Sequence, residues 1–240
     1  MSDFDRYSTV DEIRERFDHD VERFSNLDAG QAAVIDSPLH LDLIARVAAA
    51  ATPGARDLLD VGCGAGNYTL KLMQRLPLQR CMLLDLSRPM LDRAVQRVTA
   101  AGMPEVEAVQ ADIRDADLGG PRFDVIVAAQ CLHHLRGEDE WRRVFAKLLA
   151  ALTPGGSLWI SDSIASTLPG VEDVIWDRWR DYLTDLDGPD YAAKVEAYVR
   201  KEDTPRPLVW QLDLLRDVGF EAVDVLHKHS RFASFGGVRA

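Results

Sequence analysis

Leu58-Leu59-Asp60-Val61-Gly62-Cys63-Gly64-Ala65-Gly66-Asn67 is the stretch that decides the fold of this chain. Its aliphatic start predicts a buried strand, and a glycine at every second position lets the backbone turn tightly and approach a ligand closely. Residues 68–76 then place apolar side chains at helical spacing. Because a helix N-terminus presents free N–H groups to a polar or anionic ligand, the stretch predicts the strand, loop and helix of a Rossmann-like fold.

The glycine spacing indicates which nucleotide this loop binds. A pyrophosphate-binding loop has the spacing G-x-G-x-x-G, whereas this loop reads Asp60-x-Gly62-x-Gly64-x-Gly66. An acid beside the loop would repel a diphosphate but suits the ammonium group of an amino acid. The D-x-G-x-G-x-G loop resembles motif I of the class I S-adenosylmethionine-dependent methyltransferases. Taken alone, it is also compatible with a tight strand-to-helix turn that binds no nucleotide.

Two later strands also end in acids. Asp85 ends an apolar strand about 20 residues beyond the glycines, where a Rossmann-like fold uses a carboxylate to accept hydrogen bonds from ribose hydroxyls. Asp112 ends the third strand, at residues 106–113. In the resembled family this acid lies near the adenine amine, but Asp112 could instead cap the following turn.

The fourth and fifth strands complete the pattern. Strand four, at residues 123–129, runs into Gln130 and His133, and its end should lie beside the first strand and face the methionine part of the cofactor. A turn at residues 153–156 precedes strand five at residues 157–162. The resemblance therefore extends over roughly residues 55–165 and the C-terminal strands.

The resemblance implies S-adenosyl-L-methionine as cofactor and S-adenosyl-L-homocysteine as product. The residues expected to bind the cofactor are Asp60, Gly62, Cys63, Gly64, Asn67, Asp85, Leu86, Met90, Asp112, Ile113, Ala129, Gln130 and His133. Methyl transfer from a sulfonium depends mainly on alignment, and a base is needed only where the acceptor must lose a proton. No pattern singles out a catalytic residue, and the candidates are His133, Asp162, Tyr198 and Arg200.

The expected fold class is α/β, with a Rossmann-like, doubly wound, seven-stranded sheet that is mostly parallel and has an antiparallel last strand. Residues 1–240 are expected to form a single domain, closed by a helix at 208–218 and strands at 220–229 and 232–238. Residues 1–50 predict a helical lid over the cofactor cleft, or an ordinary flap on the sheet edge. The lid contacts would be Phe24, Ser25 and Asn26.

Residues 163–207 predict a helical insertion on the substrate side of the sheet. An apolar stripe runs along its first helix and comprises Val171, Val174, Ile175, Trp176, Trp179, Tyr182 and Leu183. We expect this stripe to pack as core against the sheet. Its indole rings at Trp176 and Trp179 are also compatible with a homodimer interface.

Composition restricts the class of protein. A chain of 240 residues with 47% hydrophobic content can bury one large core. No apolar run approaches the roughly 18 residues that a membrane span needs, and the acidic N-terminus differs from a signal peptide, so the cytoplasm is the expected location. The net charge of -11 argues against nucleic acid as a partner. The basic groups at Lys228, Arg231, Arg239 and residues 200–206 are interpreted as solvated surface charge.

Cysteine and histidine give no metal-binding pattern. Cys63, Cys81 and Cys131 are single residues on or beside predicted strands, as expected for reduced core thiols. The neighbouring His133 and His134 should not converge on one ion, and no carboxylate or cysteine stands at ligand spacing from them. We therefore predict no metal site.

Methyl transfer to a small-molecule acceptor is the expected function, and two alternatives stay open. Residues 13–18, the loop at 25–26 and the ending at 219–220 and 232–235 resemble carboxy-S-adenosylmethionine synthases of tRNA modification. Arg200 lies in a region comparable to their arginine near the transferred carbon. However, the loop keeps Gly64, which those enzymes tend to replace, and Tyr198 stands two residues before the arginine. The other alternative is a cofactor-binding protein without transfer activity. No motif identifies the acceptor or its reacting atom.

Overall fold

The computed structural model of the chain describes residues 7–25 and 31–240. Its strands are β1 (Asp57–Val61), β2 (Arg80–Asp85), β3 (Glu105–Gln110), β4 (Phe123–Ala129), β5 (Leu152–Ser163), β6 (Phe220–His229) and β7 (Phe232–Arg239). They form one sheet in the order β3-β2-β1-β4-β5-β7-β6, in which β7 is antiparallel to both neighbours and the other pairs are parallel. This confirms the predicted sheet.

Helices cover both faces of the sheet. They are α1 (Val10–His19), α2 (Val21–Ser25), α3 (Ser37–Ala51), α4 (Asn67–Met73), α5 (Arg88–Ala100), α6 (Glu138–Ala151), α7 (Pro169–Glu202) and α8 (Leu208–Val218), and a 3-10 turn spans Leu132–His134. Within the described ranges, no helix is both long enough and apolar enough to cross a membrane.

Successive side chains of the strands point to opposite faces, which divides the core into two layers. Leu59 of β1 packs with Trp141 and Phe145 of α6 on one face. Leu58 packs with Ile44 of α3 and Leu91 of α5 on the other face. Because β1 lies between β2 and β4, the chain crosses to opposite sides of β1, and a crevice opens at the carboxyl ends of these strands.

The start of β5 differs from the prediction. The predicted turn at residues 153–156 lies inside the strand as an irregularity, because Phe123 pairs with Leu152 whereas Val125 pairs with Ser157. Gly155 takes a left-handed φ of 78° there. The extra residues are taken up as a bulge, so the strand begins earlier than the sequence pattern indicates.

The insertion is a bent helix whose apolar stripe is only partly buried. Non-helical backbone at Asp187 and Gly188 breaks α7 into two helical parts. Trp179 and Leu183 are buried, as expected, but Val174 is 66% exposed. Val171 is also exposed, so the predicted stripe was wrong at its first turns.

The buried part of the stripe packs on a limited set of partners. It contacts Ala33, Ile35 and Phe232 together with the second half of α7, so only the later turns of the first half are covered. Trp179 is buried within its own chain, at 2% exposure, and is therefore not available to a dimer partner. A homodimer stays a prediction.

Candidate functional site

A cavity opens at the carboxyl ends of β1, β2 and β4, beneath α1 and beside α7. Every residue predicted to bind the cofactor lines it. We call the part around the glycine loop, residues 60–65, the loop half, which also includes residues 84–86 and 111–113. The hairpin half lies toward the turn between β6 and β7 and is lined by His133, Trp179, Val199, Asp203, Arg231 and Phe232.

The glycine loop is fixed between neighbouring strands. Gly62 has a φ of 64°, and a Cβ on it would lie 2.6 Å from the Cβ of Cys131, so only glycine fits there. A Cβ on Gly64 would meet no atom within 4 Å. The Cys63 N–H donates to the Leu84 carbonyl at 3.0 Å, which ties the loop to β2. The loop therefore offers open space above Gly64.

Asp60 lies under the loop and caps α4. Its Oδ2 accepts hydrogen bonds from the Thr69 N–H at 3.2 Å and the Thr69 hydroxyl at 2.6 Å. Burial raises the pKa of Asp60 to about 7. The prediction of an ammonium ligand did not foresee this capping role, which already occupies one carboxylate oxygen.

Asp85 joins the glycine loop to the start of α5. Its Oδ2 accepts from the Gly64 N–H and its Oδ1 from the Ser87 N–H, each at 2.8 Å. Burial raises the pKa of Asp85 to about 6, although these hydrogen bonds oppose the shift. Each carboxylate oxygen has a second lone pair, so Asp85 can still accept hydrogen bonds from a diol in the cavity.

Asp112 forms the turn that the sequence left open as an alternative. Its Oδ1 accepts from the Arg114 N–H at 2.8 Å and its Oδ2 from Arg114 Nη2 at 2.5 Å. Burial would raise the pKa of Asp112, but the Arg114 hydrogen bonds outweigh it and lower that pKa. Asp112 also lines the cavity, so both interpretations hold for its position.

His133 follows β4 and is oriented by a buried carboxylate. Its Nδ1 hydrogen-bonds to Asp162 Oδ1, and its N–H donates to Asp162 Oδ2 at 3.0 Å. Burial would lower the pKa of His133, but Asp203 and Asp162 outweigh it and raise that pKa to about 9. Asp162 has no exposed surface and lies behind the histidine, so it positions His133.

The two neighbouring histidines approach one carboxylate. His133 Nε2 and His134 Nδ1 lie 3.6 and 3.7 Å from Asp203 Oδ1. No carboxylate stands at ligand spacing from this pair along the chain, and Asp203 reaches it from the far end of α7, which spacing along the chain cannot reveal. A second group of this kind joins β6 to α3, where His227 and His229 lie 2.9 and 2.8 Å from Asp36 Oδ2.

Of the two remaining candidate catalytic residues, one lines the cavity and the other does not. Tyr198 lines the cavity, and burial raises its pKa. Arg200 lies outside the cavity lining, with its side chain 55% exposed and its guanidinium 3.9 Å from the ring centre of Trp176. The structure does not bring Arg200 to the cavity.

Arg231 is the residue that the sequence interpretation missed. It lies in the turn between β6 and β7, is 2% exposed and lines the hairpin half. The interpretation of Arg231 as solvated surface charge was wrong, because α7 covers this turn. The Ser230 hydroxyl donates to the Ile175 carbonyl at 3.0 Å, which fixes the turn to the helix. No local sequence signal marks this burial.

The N-terminal segment forms part of the cavity roof. Arg16 of α1 holds Glu202 with three hydrogen bonds of 2.6 to 2.9 Å, which joins α1 to the end of α7. Asn67 Nδ2 donates to the Phe24 carbonyl at 3.2 Å, and Phe24 lines the cavity. The Ser25 hydroxyl donates within α2, to the Val21 carbonyl. Asn26 lies outside the described residues.

The residues that form the loop half lie within a segment that matches a known protein family. Residues 58–156 match the family model described as "Methyltransferase domain". An uncharacterized methyltransferase of Mycobacterium tuberculosis is 31% identical over 123 residues, which cover 51% of this chain and 57% of that protein. The chain thus spans little more than half the length of this relative.

Two further similarities cover more of the chain. The carboxy-S-adenosyl-L-methionine synthase of Chromohalobacter salexigens is 31% identical over 186 residues, covering 73% of this chain and 65% of that enzyme. The solved DhpI–SAH complex is 20% identical, covers 95% of each chain and superposes with a TM-score of 0.63. At this identity the structural likeness concerns the fold.

Proposed function

We propose that this chain, which belongs to the class I S-adenosylmethionine-dependent methyltransferases, transfers a methyl group from S-adenosyl-L-methionine to a small-molecule acceptor. The observation that carries this proposal is the single cavity in which the family's cofactor residues and the hairpin half meet. The glycine loop, Asp85 and Asp112 belong to the loop half, and His133 belongs to the hairpin half. An acceptor that reaches the hairpin half would therefore share a cavity with the cofactor.

The loop half fits S-adenosyl-L-methionine in shape and in donor chemistry. No atom lies within 4 Å of the position of a Cβ on Gly64, which leaves room for a ligand there. The Asp85 carboxylate can accept further hydrogen bonds, as the ribose diol requires. Leu86, Met90 and Ile113 give an apolar wall on which an adenine ring can pack. When bound, the cofactor supplies a methyl group on a positively charged sulfur, which is a good leaving group.

The protein's own contribution is alignment and exclusion of water. The α1 helix, fixed by Arg16 and Glu202, covers the cavity from one side, and α7 covers it from the other. His133 is cationic at neutral pH, since its pKa is about 9, and is held by Asp162. It therefore supplies a donor and a positive charge in this state, and is a poor base.

Calorimetry tests the cofactor assignment. Wild-type protein should bind S-adenosyl-L-methionine and S-adenosyl-L-homocysteine, and Asp85→Ala should weaken binding by about 1.5 to 3 kcal/mol, the scale of a hydrogen bond to a charged group. The matched control is Asp92→Ala, since Asp92 is an exposed acid on α5 that pairs with Arg88. Unchanged affinity in Asp85→Ala would overturn the role of Asp85.

Turnover separates an enzyme from a protein that only binds the cofactor. The chain is incubated with methyl-labelled cofactor and fractionated metabolite extracts, and labelled product and S-adenosyl-L-homocysteine are followed by mass spectrometry. Methylated product supports the proposal. Binding without product across all fractions favours a cofactor-binding protein, and co-purified carboxy-S-adenosylmethionine would instead favour the synthase reaction of the Chromohalobacter relative.

A further inference from the structure

The guanidinium of Arg231 is a buried cation, and two of its nitrogens have no hydrogen-bond partner among the described residues. These two atoms, Nε and Nη1, are inaccessible to solvent. Burial of an unpaired charge costs several kcal/mol, so buried arginines are usually paired with carboxylates. Burial lowers the pKa of Arg231, but an arginine stays protonated in proteins. Arg231 is therefore a donor with unused capacity.

Two indole rings fix the plane of this cation. The Arg231 guanidinium carbon lies 4.1 Å from the ring centre of Trp176 and 4.4 Å from that of Trp179. Trp179 is itself held by a 2.8 Å hydrogen bond from its indole N–H to the Ala33 carbonyl. Cation–π contacts orient a guanidinium but leave its N–H donors free. The fork is thus held in place beside the cavity.

The charged side chains that the structure describes around Arg231 leave its Nε and Nη1 atoms without a hydrogen bond. Asp203 and His133 face it across the hairpin half, and Asp162 is already bonded to His133. Burial raises the pKa of Asp203, although His133 and Arg231 oppose that shift. The other charged groups that interact with Arg231 are Glu172, Glu196 and Arg200.

We propose that Arg231 binds a carboxylate of the acceptor, so that the substrate of this enzyme is a small carboxylic acid; this inference rests on the proposed function. A planar carboxylate matches the guanidinium fork with two parallel hydrogen bonds. The surrounding apolar side chains of Val199 and Phe232 would contact the carbon skeleton of such an acid. A doubly charged phosphate would meet a single unpaired cation and the nearby Asp203.

Tryptophan fluorescence gives a direct binding assay, because two indoles contact Arg231. Wild-type protein saturated with S-adenosyl-L-homocysteine is titrated with benzoate, succinate and inorganic phosphate. We expect saturable changes with at least one carboxylate. Arg231→Met should weaken binding of that carboxylate by tenfold or more. Arg231→Lys keeps the charge but lacks the planar guanidinium, and should weaken binding by less.

Arg200→Met is the matched control, since Arg200 contacts the same Trp176 ring from an exposed position outside the cavity lining. It should change carboxylate affinity by less than twofold. All variants should bind S-adenosyl-L-homocysteine with affinities within threefold of wild type. Arg231→Met should melt at the same temperature as wild type or higher, because it removes an unpaired buried charge.

Several outcomes would overturn the inference. If Arg231→Met binds the carboxylate as wild type does, Arg231 is not its ligand. If wild-type protein binds the cofactor but neither carboxylate, the carboxylate site is excluded while the proposal of methyl transfer is unaffected. A fluorescence response to phosphate at lower concentration than to either carboxylate would exclude a carboxylate as the preferred ligand. Preference for carboxy-S-adenosylmethionine that depends on Arg231 would place the carboxylate on the cofactor. Absence of cofactor binding would contradict the proposed function itself.

Discussion

At the scale of single residues, Asp85 makes cofactor affinity depend on pH. Burial raises its pKa to about 6, and the ribose diol of the cofactor is expected to bind the ionised carboxylate. Below this pKa the carboxyl must lose its proton before it binds, so affinity should be constant above pH 7 and fall about tenfold for each pH unit below 6. Calorimetry with S-adenosyl-L-homocysteine between pH 5 and 8 measures this dependence.

The amide variant Asp85→Asn is the control, since it removes the titrating group and should flatten the profile between pH 5 and 7. Stability should respond in the opposite sense. Because the folded-state pKa exceeds the ordinary value of an unfolded aspartate, the carboxyl stabilises the ligand-free fold at low pH, and this contribution is lost as the pH rises through 6. A profile in Asp85→Asn that equals wild type would assign the dependence to Asp60, whose pKa is about 7.

At the scale of elements, the buried end of the Arg16–Glu202 ion pair holds α1 over the cavity. Glu202 is nearly buried and receives the Arg16 fork, so Glu202→Gln should loosen α1 while leaving the sheet intact. We expect faster hydrogen exchange in residues 10–19, a loss of about 1 to 3 kcal/mol in stability and several-fold weaker cofactor binding. Lys201→Met is the control, since Lys201 lies at the surface, 3.8 Å from Glu12. Unchanged hydrogen exchange in α1 would show that the Arg16–Glu202 ion pair does not hold this helix in place.

The same elements show what local sequence can predict. The glycine loop and the acids after β1 and β2 follow from spacing along the chain, because strand, turn and helix are local patterns. Arg231 could not be found in this way. A two-residue hairpin turn ordinarily faces solvent, and only the packing of α7, a distant segment, buries it. The approach of Asp203 to His133 is likewise a tertiary contact without a sequence signal.

At the scale of the whole molecule, the cavity joins the N-terminal helices, the sheet, the insertion and the terminal hairpin. A ligand that fills it should therefore stabilise all of them together. At a concentration 100 times its Kd, S-adenosyl-L-homocysteine adds about 2.7 kcal/mol, which for a chain of this size should raise the Tm by about 5 to 10 °C in one cooperative transition. Calorimetric melting with hydrogen exchange measures this, and protection should increase in both α1 and α7. If the sheet alone were stabilised and α7 exchanged as in the free protein, the insertion would not close the cofactor cavity.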